Sequence, residues 1–394
     1  MDELDALRGM RTTLAEQENP DRLALRTNWR RPAPARRSRR GLKISMVSLA
    51  ATAAVVGGSV AAISMTSDGK PSTGETPVLG NALLVAATNA QKAPDGAYWH
   101  TRYVHGEINA VGKTRAKHYK VDAQQRYEAW IDKSGRWSGA MEDFGRPLTA
   151  DDRRKWEAAG SPKEVAIPVD GQEGVVFMNP MTPPKKPTGL RAETGREYFG
   201  LTPQQVVALP TEAKALEDYL LDLKGDWRVV STESKPEPMR ALKGAERNRA
   251  LSDVAGSLLG QAPAPPKVRA AAFRMLATLP GIKTGGRATD PLGRTGTMIS
   301  LPVGSTTPLG LYTAPKQLGT YRREWIINPA NGSLLAIQDM VVKPPHGSKK
   351  LRPGDDGKPD SLEVKDQPDR FHKPGELVGY DAYEVAEWTD KGPN

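Results

Sequence analysis

Residues 44–65 read ISMVSLAATAAVVGGSVAAISM, 22 consecutive positions without a charged side chain. At about 1.5 Å of rise per residue such a run makes a helix roughly 33 Å long, enough to cross a hydrocarbon core of about 30 Å. Residues 33–43, immediately before it, read APARRSRRGLK. The pattern predicts one transmembrane helix whose anchor includes Ile44, Val47, Leu49, Val55, Val56, Val60 and Ile63, with Arg36, Arg37, Arg39, Arg40 and Lys43 as a basic collar. Basic residues collect on the cytoplasmic side of a span, and residues 66–92 carry only Asp68, Lys70, Glu75 and Lys92. The expected topology is therefore a single-pass protein of the cell membrane, with the N-terminus cytoplasmic and the C-terminal domain extracytoplasmic. A cleaved signal peptide is the rival reading, with Ser59, Val60 and Ala61 at the cleavage site. That reading needs a leader far longer than the usual total of about 15–30 residues.

Charge and cysteine content narrow the function. The chain of 394 residues has a net charge of +10. Residues 1–43 hold 11 basic and 6 acidic side chains, or +5, which leaves +5 for the much longer remainder. An exported portion so nearly balanced gives no reason to expect nucleic acid as a partner. The chain has no cysteine, which excludes disulfides, thiol catalysis and a lipid-modified cysteine.

Within the cytoplasmic segment, Leu4, Leu7, Met10 and Leu14 recur at near-helical spacing behind the acidic Asp2, Glu3 and Asp5. This stripe is either a docking face for a cytoplasmic partner or part of a tail held on anionic lipid by its basic end. Ala50, Ala54, Gly58 and Ala62 put small side chains on one face of the span, a pattern that permits close helix packing. Residues 66–77 read as a flexible tether.

Residues 78–394 read as one extracytoplasmic α+β domain. Helices are expected over 81–91, 151–159, 202–208, 211–222, 245–259 and 266–279, the fourth with Thr211 as its cap. Strands are expected over 97–105, 118–132, 136–141, 322–328, 334–342 and 377–388, with a further hairpin over 282–301 turning at 290–293. Pro-, Gly- and Lys-rich insertions interrupt the domain at 160–195 and 343–376, the second expected to be poorly ordered. Clustered helices between two runs of strands favour an antiparallel sheet with helices packed on it.

No catalytic signature stands out. His100 and His105 point to opposite faces of a regular strand, and no histidine pair has the four-residue spacing of a helical zinc site. No metal or other cofactor is expected. Asp151 and Asp152 open a helix, where dipole compensation explains both. Asn331-Gly332 suits a hairpin turn better than a glycosylation site. Aromatic residues favour sheets, so most are core, while Trp99, Tyr103, Tyr127, Trp130 and Trp325 are candidates to line a ligand cavity for a lipid or peptide.

Several local signatures recur together. They are the opening Met1-Asp2-Glu3-Leu4, the Arg-rich collar and span, Tyr98-Trp99, Glu128-Ala129-Trp130 before Gly135 and Trp137, and Leu209-Pro210-Thr211. The run 269–279 ending Leu-Pro-Gly, Thr289-Asp290, Gly293-Arg294-Thr295-Gly296, the hairpin at 329–335 and Trp388-Thr389-Asp390 complete the set. In these the chain resembles a family of single-pass membrane proteins of high-GC Gram-positive bacteria, often encoded beside extracytoplasmic-function sigma factors. The resemblance implies an exported domain shaped as a half-barrel of the lipoprotein-carrier kind, a curved antiparallel sheet around helices. It implies a non-enzymatic sensor or regulator that couples envelope state to a cytoplasmic sigma factor. The alternatives are a membrane-tethered carrier of lipid, lipoprotein or peptide and, third, an envelope hydrolase. The cytoplasmic segment is shorter than a usual anti-sigma domain and lacks its His and Cys metal ligands.

Overall fold

The computed structural model describes residues 81–169, 172–179, 191–193, 196–225, 237–302, 318–351 and 360–393. The expected span, its collar and the leucine stripe lie outside the described residues. Among the described residues no helix is long and apolar enough to cross a membrane.

The domain is α+β, built on one nine-stranded antiparallel sheet. Its strands are β1 (Tyr98–Val111), β2 (Tyr119–Asp132), β3 (Trp137–Pro147), β6 (Arg191–Glu193), β9 (Lys283–Thr289), β10 (Thr295–Ser300), β11 (Thr320–Asn328), β12 (Ser333–Lys343) and β15 (Leu377–Thr389), in the spatial order β6-β3-β2-β1-β15-β12-β11-β10-β9. Two meanders, β1-β2-β3 and β9-β10-β11-β12, are thus joined by the last strand, which pairs with β1 on one side and β12 on the other.

Helices α1 (Asn81–Gln91), α3 (Pro203–Val207), α4 (Ala213–Leu221), α5 (Gly244–Gly260) and α6 (Pro266–Thr278) share a core with one face of this sheet, and the two-residue strands β7 (Lys224–Gly225) and β8 (Glu237–Pro238) pair with each other. That core holds Trp99, Trp325, Phe273, Tyr383 and Trp388, all under 5% exposed. Helix α5 sits directly on the aromatic strands because its contact face carries glycine. A Cβ on Gly260 would meet the Tyr383 ring at 2.3 Å, and one on Gly256 would meet Ile337 at 2.7 Å. A helix ends with carbonyls that have no intrahelical donor. Here the sheet supplies donors: Thr101 Oγ1 donates to the Gly260 carbonyl at 2.8 Å and Trp99 Nε1 to that of Gln261 at 3.0 Å. Arg269, on α6, adds a bond to the Leu259 carbonyl at 3.3 Å and lies 5.1 Å above the Trp99 ring. Burial lowers the Arg269 pKa to about 10, so the guanidinium stays charged at neutral pH against the negative end of α5. The Trp388 indole closes the joint by donating to the Ala264 carbonyl at 2.9 Å.

The expected helices and hairpins fall in place, but β1 and β3 each run six residues past their expected ends, to Val111 and Pro147. Helix α4 is preceded by Glu212 rather than capped by Thr211, and no side chain caps it. Helix α2 (Ala150–Ala158) opens with a capping box in which Thr149 and Asp152 satisfy each other's backbone donors. Asp152 also accepts the Lys120 amide at 2.8 Å, so its carboxylate does more than balance a dipole. Asn331 accepts from the amide and hydroxyl of Ser333 within the expected turn.

The two insertions hold more structure than their composition suggests. Residues 164–177 form a hairpin, β4 (Glu164–Val169) with β5 (Gln172–Phe177). Val165, Ile167, Val176 and Met178 pack with Trp156 of α2 onto Val111, Tyr119 and Val121 at one end of the sheet. The 343–376 region contains β13 (Ser348–Leu351) paired with β14 (Asp360–Glu363), then a strap of buried polar groups. In that strap Pro368 accepts the Ala110 amide at 2.7 Å, Gln367 the Leu318 amide at 3.0 Å, and Asp369 the Tyr321 hydroxyl at 2.5 Å. Composition read as disorder missed this because the stabilising contacts are long-range hydrogen bonds rather than apolar periodicity.

Two bulges bend the pairing where the meanders meet. Glu384 is the extra residue of β15, between positions paired with Arg102 and Tyr103, and Leu335 is the extra residue of β12. One guanidinium serves both. Arg294 donates to the Tyr383 carbonyl at 2.6 Å and to the Leu335 carbonyl at 2.8 Å, and Asp290, with no side-chain exposure, holds it through Nε at 2.7 Å. Replacing Arg294 by Met should cost about 2–4 kcal/mol in urea unfolding, since it strands two carbonyls and a buried carboxylate. A loss below about 0.5 kcal/mol, the range of ordinary surface substitutions, would contradict that role.

The strap also sets an acid limit. His372 is 1% exposed, its Nδ1 lies 3.1 Å from the Asp369 carbonyl, and its Nε2 has no hydrogen-bond partner. Burial, helped by the Lys120 charge, lowers its pKa from 6.5 to about 4. The folded state therefore favours the neutral ring: the contribution is complete above pH 6.5 and is lost as pH falls towards 4. His372→Phe should flatten the decline in chemical stability across that window.

Candidate functional site

The register of β3, β2, β1 and β15 aligns side chains in rungs across the helix-bearing face. One rung is aromatic, Met141–Tyr127–Tyr103–Tyr383. The next is polar, Asp143–Gln125–His105–Asp381, and continues through Ile337 of β12 to Trp325 of β11. The third, Gly145–Ala123–Glu107–Gly379, continues to Asp339 and Arg323. Side chains of alternate residues share a face, so the three rungs lie side by side.

Tyr103 and Tyr383 of the aromatic rung are roofed by the helical core, while Met141 at its β3 end is exposed, and the β4-β5 hairpin cluster covers Gly145 and Ala123 of the third rung and the strand ends beyond them. Between these two roofs the polar rung stays open. His105 is 38% exposed, Asp381 29% and Glu107 28%, whereas Tyr103 next to them is 7% exposed. Small residues keep the floor low: a Cβ on Gly379 would meet only the Gly106 carbonyl oxygen, at 3.4 Å. With strands about 4.8 Å apart, the trough from Asp143 to Asp381 is about 14 Å long.

Its electrostatics centre on His105. Nδ1 lies 2.8 Å from Asp381 and Nε2 lies 3.7 Å from Glu107. Burial alone would depress the imidazolium, but the Asp381 hydrogen bond and charge, followed by Glu107, push its pKa up to about 10. At neutral pH His105 is a cation, with both nitrogens turned to carboxylates, and so is a poor general base. At the far end Arg323 grips Asp339 through two bonds of 2.9 and 2.7 Å and reaches Asp253 of α5 at 2.6 Å. Burial opposes the Asp339 charge, and Arg323 more than compensates, leaving its pKa below the usual value. Tyr103 and Tyr127 stack with ring centroids 4.8 Å apart. Burial, then the charges of Asp143 and Asp381, raises the Tyr127 pKa, so its hydroxyl is a donor and bonds Gln125 at 2.8 Å.

Of the expected cavity aromatics, Trp99, Tyr103, Tyr127 and Trp325 lie on this face and Trp130 on the other, where it stacks on His100 at 4.3 Å. Trp99 and Trp325 are 0% and 1% exposed and serve as core. Sequence reasoning weighed His105 only as a metal ligand and set it aside, and Asp381 was not singled out. The available signal was the alternation that places His105 on the same side as Trp99 and Tyr103, an ionisable residue on an otherwise aromatic face. Among the described residues no group of three or more His, Asp or Glu is placed to hold a metal ion. No protein-family model, no curated protein and no solved structure matches the chain.

The raised His105 pKa makes stability depend on alkaline pH. The paired imidazolium contributes fully below about pH 6.5, and the contribution is lost as pH rises towards 10. In the His105→Gln variant, chemical denaturation midpoints should vary less between these limits than in the unsubstituted chain.

Proposed function

We propose that the chain is a non-enzymatic sensor or regulator anchored by residues 44–65, whose extracytoplasmic domain binds a ligand in the trough and reports through residues 1–43. The observation that supports it is the His105–Asp381 pair, a charged rung left accessible beside the closed helical core. Neither nitrogen of His105 meets a nucleophile; both face carboxylates, an arrangement suited to recognition rather than to acyl transfer. The nine antiparallel strands with helices on one face are compatible with the half-barrel that the family resemblance implies. In this reading Leu4, Leu7, Met10 and Leu14 form the contact with the cytoplasmic partner, a sigma factor. The carrier reading has less support, because Trp99 and Trp325, which would line an acyl cavity, are packed shut.

The absence of native cysteine makes the topology directly testable. In intact cells a membrane-impermeant maleimide should label Lys391→Cys and leave Thr13→Cys unlabelled until lysis. Labelling in the reverse order, or of neither site before lysis, would overturn the proposal.

A further inference from the structure

Residues 364–376, the strap that follows β14, complete the ladder at the end of the sheet where β15 has not yet begun. Three of them are sealed, Gln367, Asp369 and His372 at 1%, 2% and 1% exposed, and all three are polar. None of the strap's apolar residues is buried. Its other fastenings are hydrogen bonds to strands on either side. Pro368 accepts the Ala110 amide of β1, Arg370 donates to the Gly112 carbonyl at 2.7 Å, and Gly375 and Glu376 exchange backbone bonds of 2.8 and 2.9 Å with Val341 of β12. A segment held by hydrogen bonds without apolar burial opens at a lower free energy than the core. Helix α5, by contrast, sinks Leu251, Val254, Leu258 and Leu259 into the helical cluster.

His372 makes this attachment sensitive to protons. A neutral imidazole carries one N–H, and with Nδ1 facing the Asp369 carbonyl the proton sits there, leaving Nε2 as a lone pair, buried and without a hydrogen-bond partner. A second proton would put a cation into that space beside the Lys120 ammonium of β2. The carbonyls of Asp369 and Leu377 and the Glu376 carboxylate favour the charged ring, and burial outweighs them. The other ionisable groups of the joint respond differently. Burial raises the Asp369 pKa against the pull of the Tyr321 hydrogen bond, so acid favours its neutral, closed form. Burial also opposes the Glu376 charge, but Lys120 outweighs it and holds that carboxyl below the usual carboxylate range. Tyr321 of β11, its pKa raised by burial, stays neutral throughout.

We infer that the strap is an acid-released latch: a proton on His372 detaches residues 364–376 from β1 and β12 while the helical core stays folded. Release bares the Ala110 and Val341 amides and the Gly112 and Val341 carbonyls, so the open form presents unpaired backbone at one end of the sheet. This local step precedes any global loss of stability in acid. It depends neither on what the trough binds nor on how the chain is oriented in a membrane.

The test is hydrogen exchange of the purified full-length chain in detergent at pH 7 and pH 5, read by mass spectrometry on peptides from 364–376 and from α5. Each rate is divided by its intrinsic value at that pH. A pKa of 6.5 in the open form against about 4 in the closed strap makes opening about twentyfold more favourable at pH 5 than at pH 7. Strap amides of the native chain should therefore lose protection on acidification while those of α5 keep theirs. The ratio of strap protection in His372→Phe to that in the native chain should rise about twentyfold between the two pH values, a comparison in which Asp369 and Glu376 cancel. His372→Gln, equally unable to charge, gives the same reading should the Phe ring disturb the fold. The inference fails if strap and α5 lose protection together, if native strap protection does not fall, or if the ratio is unchanged.

Discussion

The carbonyl groups that end α5 are the point on which the domain turns. They lie against the aromatic face of the sheet, and burying them without donors would cost about 1–3 kcal/mol each. Thr101 and Trp99 come from β1, Arg269 from α6, and the Trp388 bond to the adjoining Ala264 from β15. One helix terminus therefore fixes the helix layer to both central strands. It also fixes their register, since Trp99 and Trp388 are cross-strand partners.

From that register the trough follows without further adjustment. Once Trp99 faces Trp388, the bulge at Glu384 brings Tyr103 opposite Tyr383 and His105 opposite Asp381. A one-residue slip would carry each of these side chains to the other face. There the sheet holds a different network, with Glu384 bonded to Arg102 at 2.7 Å and Asp122 buried beneath Tyr380 and Arg146. The bulge is thus shared: its extra residue serves the ionic ladder on one face while its displaced carbonyl is held by Arg294.

The local pattern carried the helices α1, α2, α5 and α6 and the hairpins, because apolar period and turn residues report nearest-neighbour physics. Proline before α6 and Pro280-Gly281 after it are signals of that kind. The 164–177 hairpin was hidden because its strands are short and embedded in proline and glycine. His372 and Asp369 were hidden because nothing in their neighbours' polarity announces burial. The trough depended on pairings between residues as distant as His105 and Asp381, which no window along the chain contains. Thr289-Asp290 and Gly293-Arg294 stood out as a signature, but their use, one arginine serving two strands' carbonyls, is a property of the assembled sheet.

The placement of β15 has a consequence for assembly. Its partner β1 lies near the other end of the domain, so the middle of the sheet is a closure between distant parts of the chain. Until β15 is in place, the two meanders are separate ribbons, each with a bare edge that exposes unpaired amides and carbonyls. Closure over so long a loop is entropically slow, and the half-sheets are open to pairing with neighbouring molecules while they wait. In a chain with this order of strands both inner edges stay bare until the last residues arrive to cover them.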